Sequence, residues 1–368
     1  MDASSATPGS GRRGAYLISS YLLRRSPQAP MFRTTCSLLG KIVRSDGFGG
    51  VGQDMAHKYG GPWSEIKLDA VEYYLQCYAK ALTWAKMDLW YIDAFAGSGD
   101  REAERQVGGI FEGREMETVI ETLDGSARRG LKIEPPFKHF IFIEKDPERA
   151  AALESVRVDW PNAEIQVLRG DANDELLEII GKAPWTSKSR SRSRGVVFLD
   201  PFSMQVDWST LEALSQTECL DIWFLFNVAA VTRQLAHDYA GIGNKESMLD
   251  RVLSPRWREL YAMQPENPSG QTDIFAGLFD APPKQSTVRR IVSKKQIDQW
   301  FEGLLRETFA FVSESLPIMT PHSGHTFSLF LAVANPDPKA TELAEKFVRY
   351  VNRKYAPKPQ ASRRRSGR

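Results

Sequence analysis

The stretch "YIDAFAGSG", residues 91–99, decides the fold. It begins as an apolar run, which is typical of a strand buried on both faces, and it ends in a loop that contains Gly97 and Gly99. An acid, Asp93, stands just before the turn. Glycines let the main chain approach a ligand closely, and amide groups at the start of a following helix bind anions. The stretch therefore predicts a strand that ends against a nucleotide-like ligand.

Strands and helices alternate along the rest of the chain. Apolar runs predict further strands at "HFIFIE", "AEIQVLRGD", "VVFLD" and "DIWFLFN", and segments with apolar residues three or four apart predict helices between them. A strand pair, "FVSESLPIM" and "HTFSLFLAVAN", precedes a closing amphipathic helix. This order predicts an α/β fold with a mostly parallel sheet, an antiparallel terminal strand pair and helices on both faces.

The predicted α/β domain spans residues 55–355 and carries additions. Basic residues without acids between 3 and 45 have the composition of an organelle transit peptide, but Met55 opens a stretch that starts like a complete protein. We therefore expect residues 1–54 to be a disordered extension or a misassigned start. Insertions are predicted at about 100–124 and 241–285, and a basic tail at 356–368.

Three polar segments receive local predictions. "ETVIETL", in the first insertion, is expected to be helical, and "RWRELY" is expected to be the one short helix of the second. The Ser/Arg run at 182–195 is expected to be a surface loop, because it offers little for a core.

Composition excludes several classes of protein. The 368 residues carry 48 basic and 46 acidic side chains, so the net charge of +2 creates no global field towards nucleic acid or membranes. The cysteines, Cys36, Cys77 and Cys219, lie far apart, which predicts neither a disulfide framework nor a metal site. No apolar run approaches the roughly 20 residues of a membrane helix. A cytoplasmic protein without membrane contact is expected.

Four acids follow successive predicted strands: Asp93, Glu144, Asp171 and Asp200. Ligands of open α/β sheets bind outside the carboxyl ends of the strands, so these acids should line one rim. Asp93 suits a ligand with an ammonium group, and Glu144 can accept hydrogen bonds from ribose hydroxyls. Asp171 can accept the exocyclic amine of adenine. Each acid matches one donor group of S-adenosylmethionine, although a single acid at a strand end is more often a turn former or helix cap.

The residues after the fourth of these strands suit catalysis. Asp200 can accept hydrogen bonds from a substrate amine beside the turn fixed by Pro201, while Phe202 stacks on a planar group such as a base. Positioning would then contribute more than acid–base chemistry. An oxidoreductase is not supported, because Glu102 stands where the dinucleotide fingerprint GxGxxG needs its third glycine.

Several motifs in sequence order give a family resemblance. "GGPWSEIKLDAVEYYLQCY", "YIDAFAGSG", "LDGSARRGL", "FIFIEKD", "GDAN", "FLDPF" and "NVAAVTR" make the chain resemble the three-Cys-motif partner proteins, within the class I S-adenosylmethionine-dependent methyltransferases. The likeness spans about residues 55–355 and supports Met55 as the natural start.

The resemblance implies a Rossmann-like class I methyltransferase fold, S-adenosylmethionine as cofactor and a partner protein that carries a three-cysteine motif, expected to be an iron–sulfur protein. It implies a set of cofactor-binding residues: Asp93, Phe95, Gly97, Gly99, Glu144 and Asp171. Arg233, which ends "NVAAVTR", is expected to contact substrate or partner. Adenine amino-methyltransferases show [DN]PP[YF], whereas this chain has Ser203 after Phe202 and a single proline, which argues against adenine as the acceptor.

Two functions remain open from the sequence. The first is an active methyltransferase that acts on a nucleic-acid nitrogen, on a protein or on a small molecule. The second is a non-catalytic accessory subunit that keeps the fold and contacts its partner. The four rim acids favour catalysis.

Overall fold

A central sheet is built around the strand that contains Asp93. The computed structural model describes residues 62–109, 114–182, 184–185, 192–264, 287–320 and 324–356, all within the compact unit Ala56–Arg368. The strands are β1 (Asp88–Asp93), β2 (Asp100–Gly109), β3 (Arg114–Asp124), β4 (His139–Ile143), β5 (Glu164–Leu168), β6 (Ser193–Leu199), β7 (Leu220–Phe226), β8 (Tyr261–Gln264), β9 (Thr287–Arg290), β10 (Phe311–Val312), β11 (Leu316–Thr320) and β12 (Gly324–Val333).

The helices fall mostly between these strands, as the alternating pattern predicts. They are α1 (Pro62–Trp84), α2 (Ser126–Leu131), α3 (Pro147–Val156), α4 (Ala172–Ile180), α5 (Trp208–Ser215), α6 (Val228–Gln234), α7 (Glu246–Leu253), α8 (Lys294–Thr308) and α9 (Pro338–Tyr355). Local signals explain several starts. Asp146 caps α3 before a proline, and Ser293 forms a capping box with Gln296 at the start of α8. Among the described residues, no helix is long and apolar enough to cross a membrane.

The strand order of the main sheet is β10-β12-β7-β6-β1-β4-β5, and β11 also pairs with β12. β5, β4, β1, β6 and β7 are parallel, whereas β12 runs antiparallel to β7. This is the Rossmann-like class I methyltransferase fold, and the prediction of a mostly parallel sheet with an antiparallel terminal pair is confirmed. The order reverses direction at β1, which has β4 on one side and β6 on the other. Ligands of such sheets bind at this switch point.

Helices cover both faces of the sheet. Tyr91 and Leu153 belong to the hydrophobic cluster that packs α1, α2, α3 and α9 on one face. Ile92, the next residue of β1, belongs to the cluster that packs α4 to α8 on the other face. Alternate side chains of a strand point to opposite faces, so a strand between two helical layers must be apolar throughout. That requirement explains the near-continuous apolar run of β1.

The first insertion is an antiparallel hairpin, β2–β3, in which Asp100 pairs with Asp124. The segment "ETVIETL" lies in β3, so the prediction that it is helical is wrong. Pairing with β2 supplies its backbone hydrogen bonds and outweighs a weak helical spacing. The Gly125 amide donates to the Gly99 carbonyl at 2.9 Å, which closes the base of the hairpin. The chain therefore leaves the glycine loop and returns to the same point before α2 begins.

Two further segments differ from the predictions. "RWRELY" lies in the 3-10 helix Pro255–Leu260 and the start of β8, and α7 precedes it as an additional helix. The end of the predicted loop 182–195 belongs to β6, and Trp185 is buried because it packs edge-on against Trp90 at 5.4 Å. The prediction that the whole run is a surface loop is therefore wrong. Residues 1–54, 265–286 and 357–368 lie outside the described residues.

Candidate functional site

Parallel pairing brings the predicted acids to one edge of the sheet. Asp93, the last residue of β1, is in register with Phe142 of β4 and Phe198 of β6. Glu144 and Asp200 follow the ends of those two strands directly. Asp171 follows the end of β5, which pairs with β4. All four acids therefore lie at the carboxyl edge, around the switch point between β1 and β6.

The glycine loop after β1 rests on the end of β4. The Gly97 amide donates to Oε2 of Glu144 at 3.0 Å, and the Ala96 amide donates to the carbonyl of Ile143 at 3.1 Å. Gly97 and Gly99 have φ of +64° and +84°, a region that other residues enter with strain. A Cβ on Gly97 would meet no atom within 4 Å, so the loop is open on that side.

Asp93 lies beneath this loop and is fully buried. Its Oδ1 accepts the Phe95 amide at 3.3 Å, whereas its Oδ2 has no hydrogen-bond partner. Burial raises the pKa of Asp93 to about 7; Ser126, the Phe95 amide and Lys67 lower it, and Asp200 raises it. The carboxyl is therefore close to half-protonated at neutral pH. A cation placed against the unpaired oxygen would stabilise the ionised form.

Glu144 joins the loop to the start of α3. Its Oε1 accepts the Asp146 amide at 2.8 Å while Oε2 holds Gly97. An ionised carboxylate has about four acceptor positions, so each oxygen keeps one for a ligand hydroxyl. Phe95, in the same loop, is half-buried against the core.

Asp171 has a structural role in the fold. It caps α4 by accepting the Asn173 amide at 3.1 Å, and Lys145 lies 3.2 Å from its Oδ2. Burial works to raise the pKa of Asp171, but the hydrogen bonds from Asn173 and the charge of Lys145 lower it below its ordinary value. Asp171 is therefore ionised at neutral pH. Its proposed contact with adenine stays a prediction.

Asn173 connects two of the loops at the rim, and the sequence analysis gave it no role. Its side-chain nitrogen donates to the Gln205 carbonyl at 2.8 Å, and its oxygen accepts the Asp207 amide at 2.9 Å and the Thr210 hydroxyl at 3.0 Å. The loop after β5 is thereby fixed to the loop after β6. The motif "GDAN" ends in this asparagine and was the available signal.

Asp200, Pro201 and Phe202 form a short projecting corner. Pro201 is buried, whereas the Phe202 side chain is 65% exposed. The Phe202 amide donates to Oε1 of Gln205 at 2.8 Å, which fixes the corner. An exposed ring beside a carboxylate can stack on a planar group whose amine the carboxylate accepts.

Lys67 is a site residue that the sequence did not indicate. It lies on α1, and its Nζ is 2.5 Å from Oδ2 of Asp200. Both side chains are largely buried, with exposed fractions of 17% and 20%. A lysine on an amphipathic helix carries no local signal for a contact with a distant strand end.

Arg233 lies apart from the glycine loop. It is exposed in the last turn of α6, on the side of β7 that faces β12, and its positive charge acts on Lys294 at the start of α8. The structure thus groups Asp93, Glu144 and Asp200 around the switch point and places Arg233 further along the same edge.

The strand order and the acid-bearing rim together define a class of protein: a Rossmann-like chain of the class I methyltransferase type. No protein-family model and no curated protein matches the chain.

Solved structures with a similar fold include three of low similarity. Protein LPL1258 from Legionella pneumophila is 12% identical over 79% of this chain and 92% of that one, with a TM-score of 0.41. An S-adenosylmethionine-dependent methyltransferase from Clostridium acetobutylicum is 9% identical over 71% and 91%, with a TM-score of 0.30. TYW2 from M. jannaschii, in complex with AdoMet, is 10% identical over 76% and 78%, with a TM-score of 0.28. Similarities of this size assign neither a substrate nor a site residue to this chain.

Proposed function

We propose that this chain is an S-adenosylmethionine-dependent methyltransferase that works with a three-Cys-motif partner protein on a nucleic-acid nitrogen. One observation carries the enzymatic part. The glycine loop after β1 and the corner Asp200–Phe202 after β6 flank the topological switch point, where open α/β sheets bind their ligands. The family resemblance supports the partner.

The residues of the glycine loop fit the cofactor. Asp93 offers a buried carboxylate oxygen without a partner, which suits an ammonium group. The open side of Gly97 admits a ligand against the main chain, and Glu144 keeps acceptor positions for two hydroxyls. When bound, S-adenosylmethionine supplies an electrophilic methyl group.

The corner after β6 orients the acceptor. Asp200 accepts a hydrogen bond from the acceptor amine, which turns the nitrogen lone pair towards the switch point. Phe202 stacks on the ring that carries the amine. Holding two reactants in one orientation contributes a large share of catalysis, so no strong acid or base is needed. Lys67 holds the Asp200 carboxylate in place.

The accessory-subunit function stays as a second candidate because of that same contact. With Lys67 at 2.5 Å, the Asp200 carboxylate already has a cationic partner inside the fold. A non-catalytic subunit would keep such an ion pair as a structural link between α1 and the sheet.

Calorimetric titration of the full chain separates the two candidates. We expect S-adenosylmethionine to bind with a dissociation constant on the order of micromolar, and NADH not to bind. Asp93→Ala should abolish this binding, whereas Glu345→Ala, which removes an acid from α9, should not change it. If wild-type chain binds neither compound, the accessory function is supported instead, and capture of the three-Cys-motif protein becomes the decisive assay.

A further inference from the structure

Three basic side chains lie together at the β12 side of the rim. They are Arg233 at the end of α6, Arg290 at the end of β9 and Lys294 at the start of α8, here called the basic cluster. Arg290 donates to the carbonyl of Thr232 at 3.1 Å, which places it beside Arg233. The Lys294 ammonium donates to the carbonyl of His325.

Strand register relates the basic cluster to the corner at Asp200. β12 pairs with β7 through Ser328 and Phe226, and β7 pairs with β6 through Phe224 and Leu199. His325, three residues before Ser328, therefore lies at the same edge as Asp200. Two strand spacings separate them across the sheet, which is about 10 Å.

The basic cluster concentrates positive charge. Burial lowers the pKa of Lys294 and the charge of Arg233 lowers it further, while Asp298 opposes them less. Asp298 is buried and accepts the Ser315 hydroxyl at 3.2 Å. Arg233 is exposed, and among the described residues its guanidinium has no hydrogen bond or ion pair. Like charges held together are relieved by a bound anion.

We propose that the basic cluster binds the phosphate backbone of a single-stranded nucleic acid whose target base lies at Asp200 and Phe202. This inference rests on the proposed methyltransferase function and names its substrate class. Arginine and lysine side chains position nucleic acids through phosphates, while exposed aromatic rings stack on bases. A base can reach the exposed ring of Phe202 only when it is unstacked, which favours a single strand.

Fluorescence anisotropy with labelled single-stranded RNA and DNA of about 20 nucleotides tests the inference. Binding of the full chain is measured between about 50 and 200 mM salt, with Arg233→Gln, Lys294→Gln and the double variant. For the double variant we expect the slope of log K against log salt to fall by about 1.4, because each phosphate contact contributes about 0.7 in single strands. At about 0.1 M salt, binding should weaken by about 10- to 30-fold.

The matched control is Lys346→Gln with Arg353→Gln, which removes two charges from α9 on the other face of the sheet. This control should keep the wild-type slope to within about half of one contact. Arg233→Gln alone, at an exposed position, keeps the test valid if the double variant folds poorly.

Several outcomes would overturn the inference. They are an unchanged slope in the double variant, an equal loss in the control pair, absence of nucleic-acid binding, and AMP or inorganic phosphate competing as well as the oligonucleotide. Calorimetric titration with S-adenosylmethionine on the same samples separates the two proposals. Retained cofactor binding with no oligonucleotide effect rejects the basic cluster and leaves the methyltransferase function standing.

Discussion

Lys67 and Asp200 are 133 residues apart in the chain, and their side chains meet at 2.5 Å. The contact joins α1 to the end of β6 across the switch point. It fixes the direction of the carboxylate that we propose to orient the acceptor amine. A substituted Lys67 should therefore change transfer without changing the cofactor contacts of the glycine loop.

For Lys67→Met we expect methyl transfer to fall by about 10- to 100-fold, because a small misplacement of the acceptor is costly. The dissociation constant of the cofactor should stay within about threefold, and Lys67→Arg should recover part of the rate. Radiolabelled transfer to RNA and DNA, with calorimetry on the same samples, measures both. Wild-type transfer by Lys67→Met would show that the ion pair is only structural.

Asp200→Ala should separate transfer from binding. The variant should keep cofactor affinity, since the glycine loop is intact, and should lose methyl transfer, since the amine has no acceptor at the corner. Asp93→Ala should lose both. Steady-state transfer assays and calorimetry distinguish the two. A transfer rate for Asp200→Ala equal to wild type would remove the catalytic assignment.

Cofactor binding should release protons near neutral pH. The pKa of Asp93 is about 7 in the free chain, and a cationic ligand lowers it, so a proton must leave. We expect release of about half a proton at pH 7 and close to one at pH 6, where the amine of the ligand stays protonated. Calorimetry in buffers of different ionisation enthalpy measures the release.

Two variants serve as controls for this linkage. Asp93→Asn should bind more weakly and release no proton. Lys67→Met should move the release to higher pH, because Lys67 lowers the pKa of Asp93. A merely structural lysine would leave the pH dependence where it is. Equal proton release by wild type and Asp93→Asn would assign the titration to another group.

Asp221 should make the protein less stable as pH rises. Burial raises its pKa to about 7, although the Tyr74 hydroxyl, which donates to Oδ2 at 2.6 Å, and Arg194 lower it. The folded state therefore binds a proton that the unfolded state releases near pH 4, and this contribution to stability is lost between about pH 4 and 7. Asp221→Asn should raise the melting temperature by about 4 °C or more at pH 8, with little change at pH 5.

Thermal unfolding at the two pH values measures this effect. Glu345→Gln, on the exposed surface of α9, is the control and should behave alike at both. A rise of equal size for Asp221→Asn at pH 5 would mean that the gain comes from packing and not from the charge.

The main sheet was predictable because parallel strands between two helical layers must be apolar throughout, and such runs stand out in the sequence. The acids at the strand ends followed from the same pattern. The hairpin was missed because its strands are polar and pair only with each other. α7 could have been found from the buried residues Leu249, Val252 and Leu253, which have helical spacing.

The side-chain contacts of the site were less predictable. Lys67 meets Asp200 only after α1 has packed on the sheet, so no local pattern marks it. The burial of Asp93 was also hidden, because a carboxylate before a turn looks the same in sequence whether it faces a ligand or the core. Nearness of Arg233 to Lys294 depends on how α6 and α8 pack, which the spacing within either helix cannot give.

The hairpin β2–β3 has a mechanical consequence for the glycine loop. Its two strands leave and return at Gly99 and Gly125, which are joined by one hydrogen bond. With ten residues in β2, the hairpin is an arm about 30 Å long whose pivot is the loop that holds Glu144. Whatever grips the free end of this arm exerts torque on the main chain of Gly97, and so reaches the switch point without touching it.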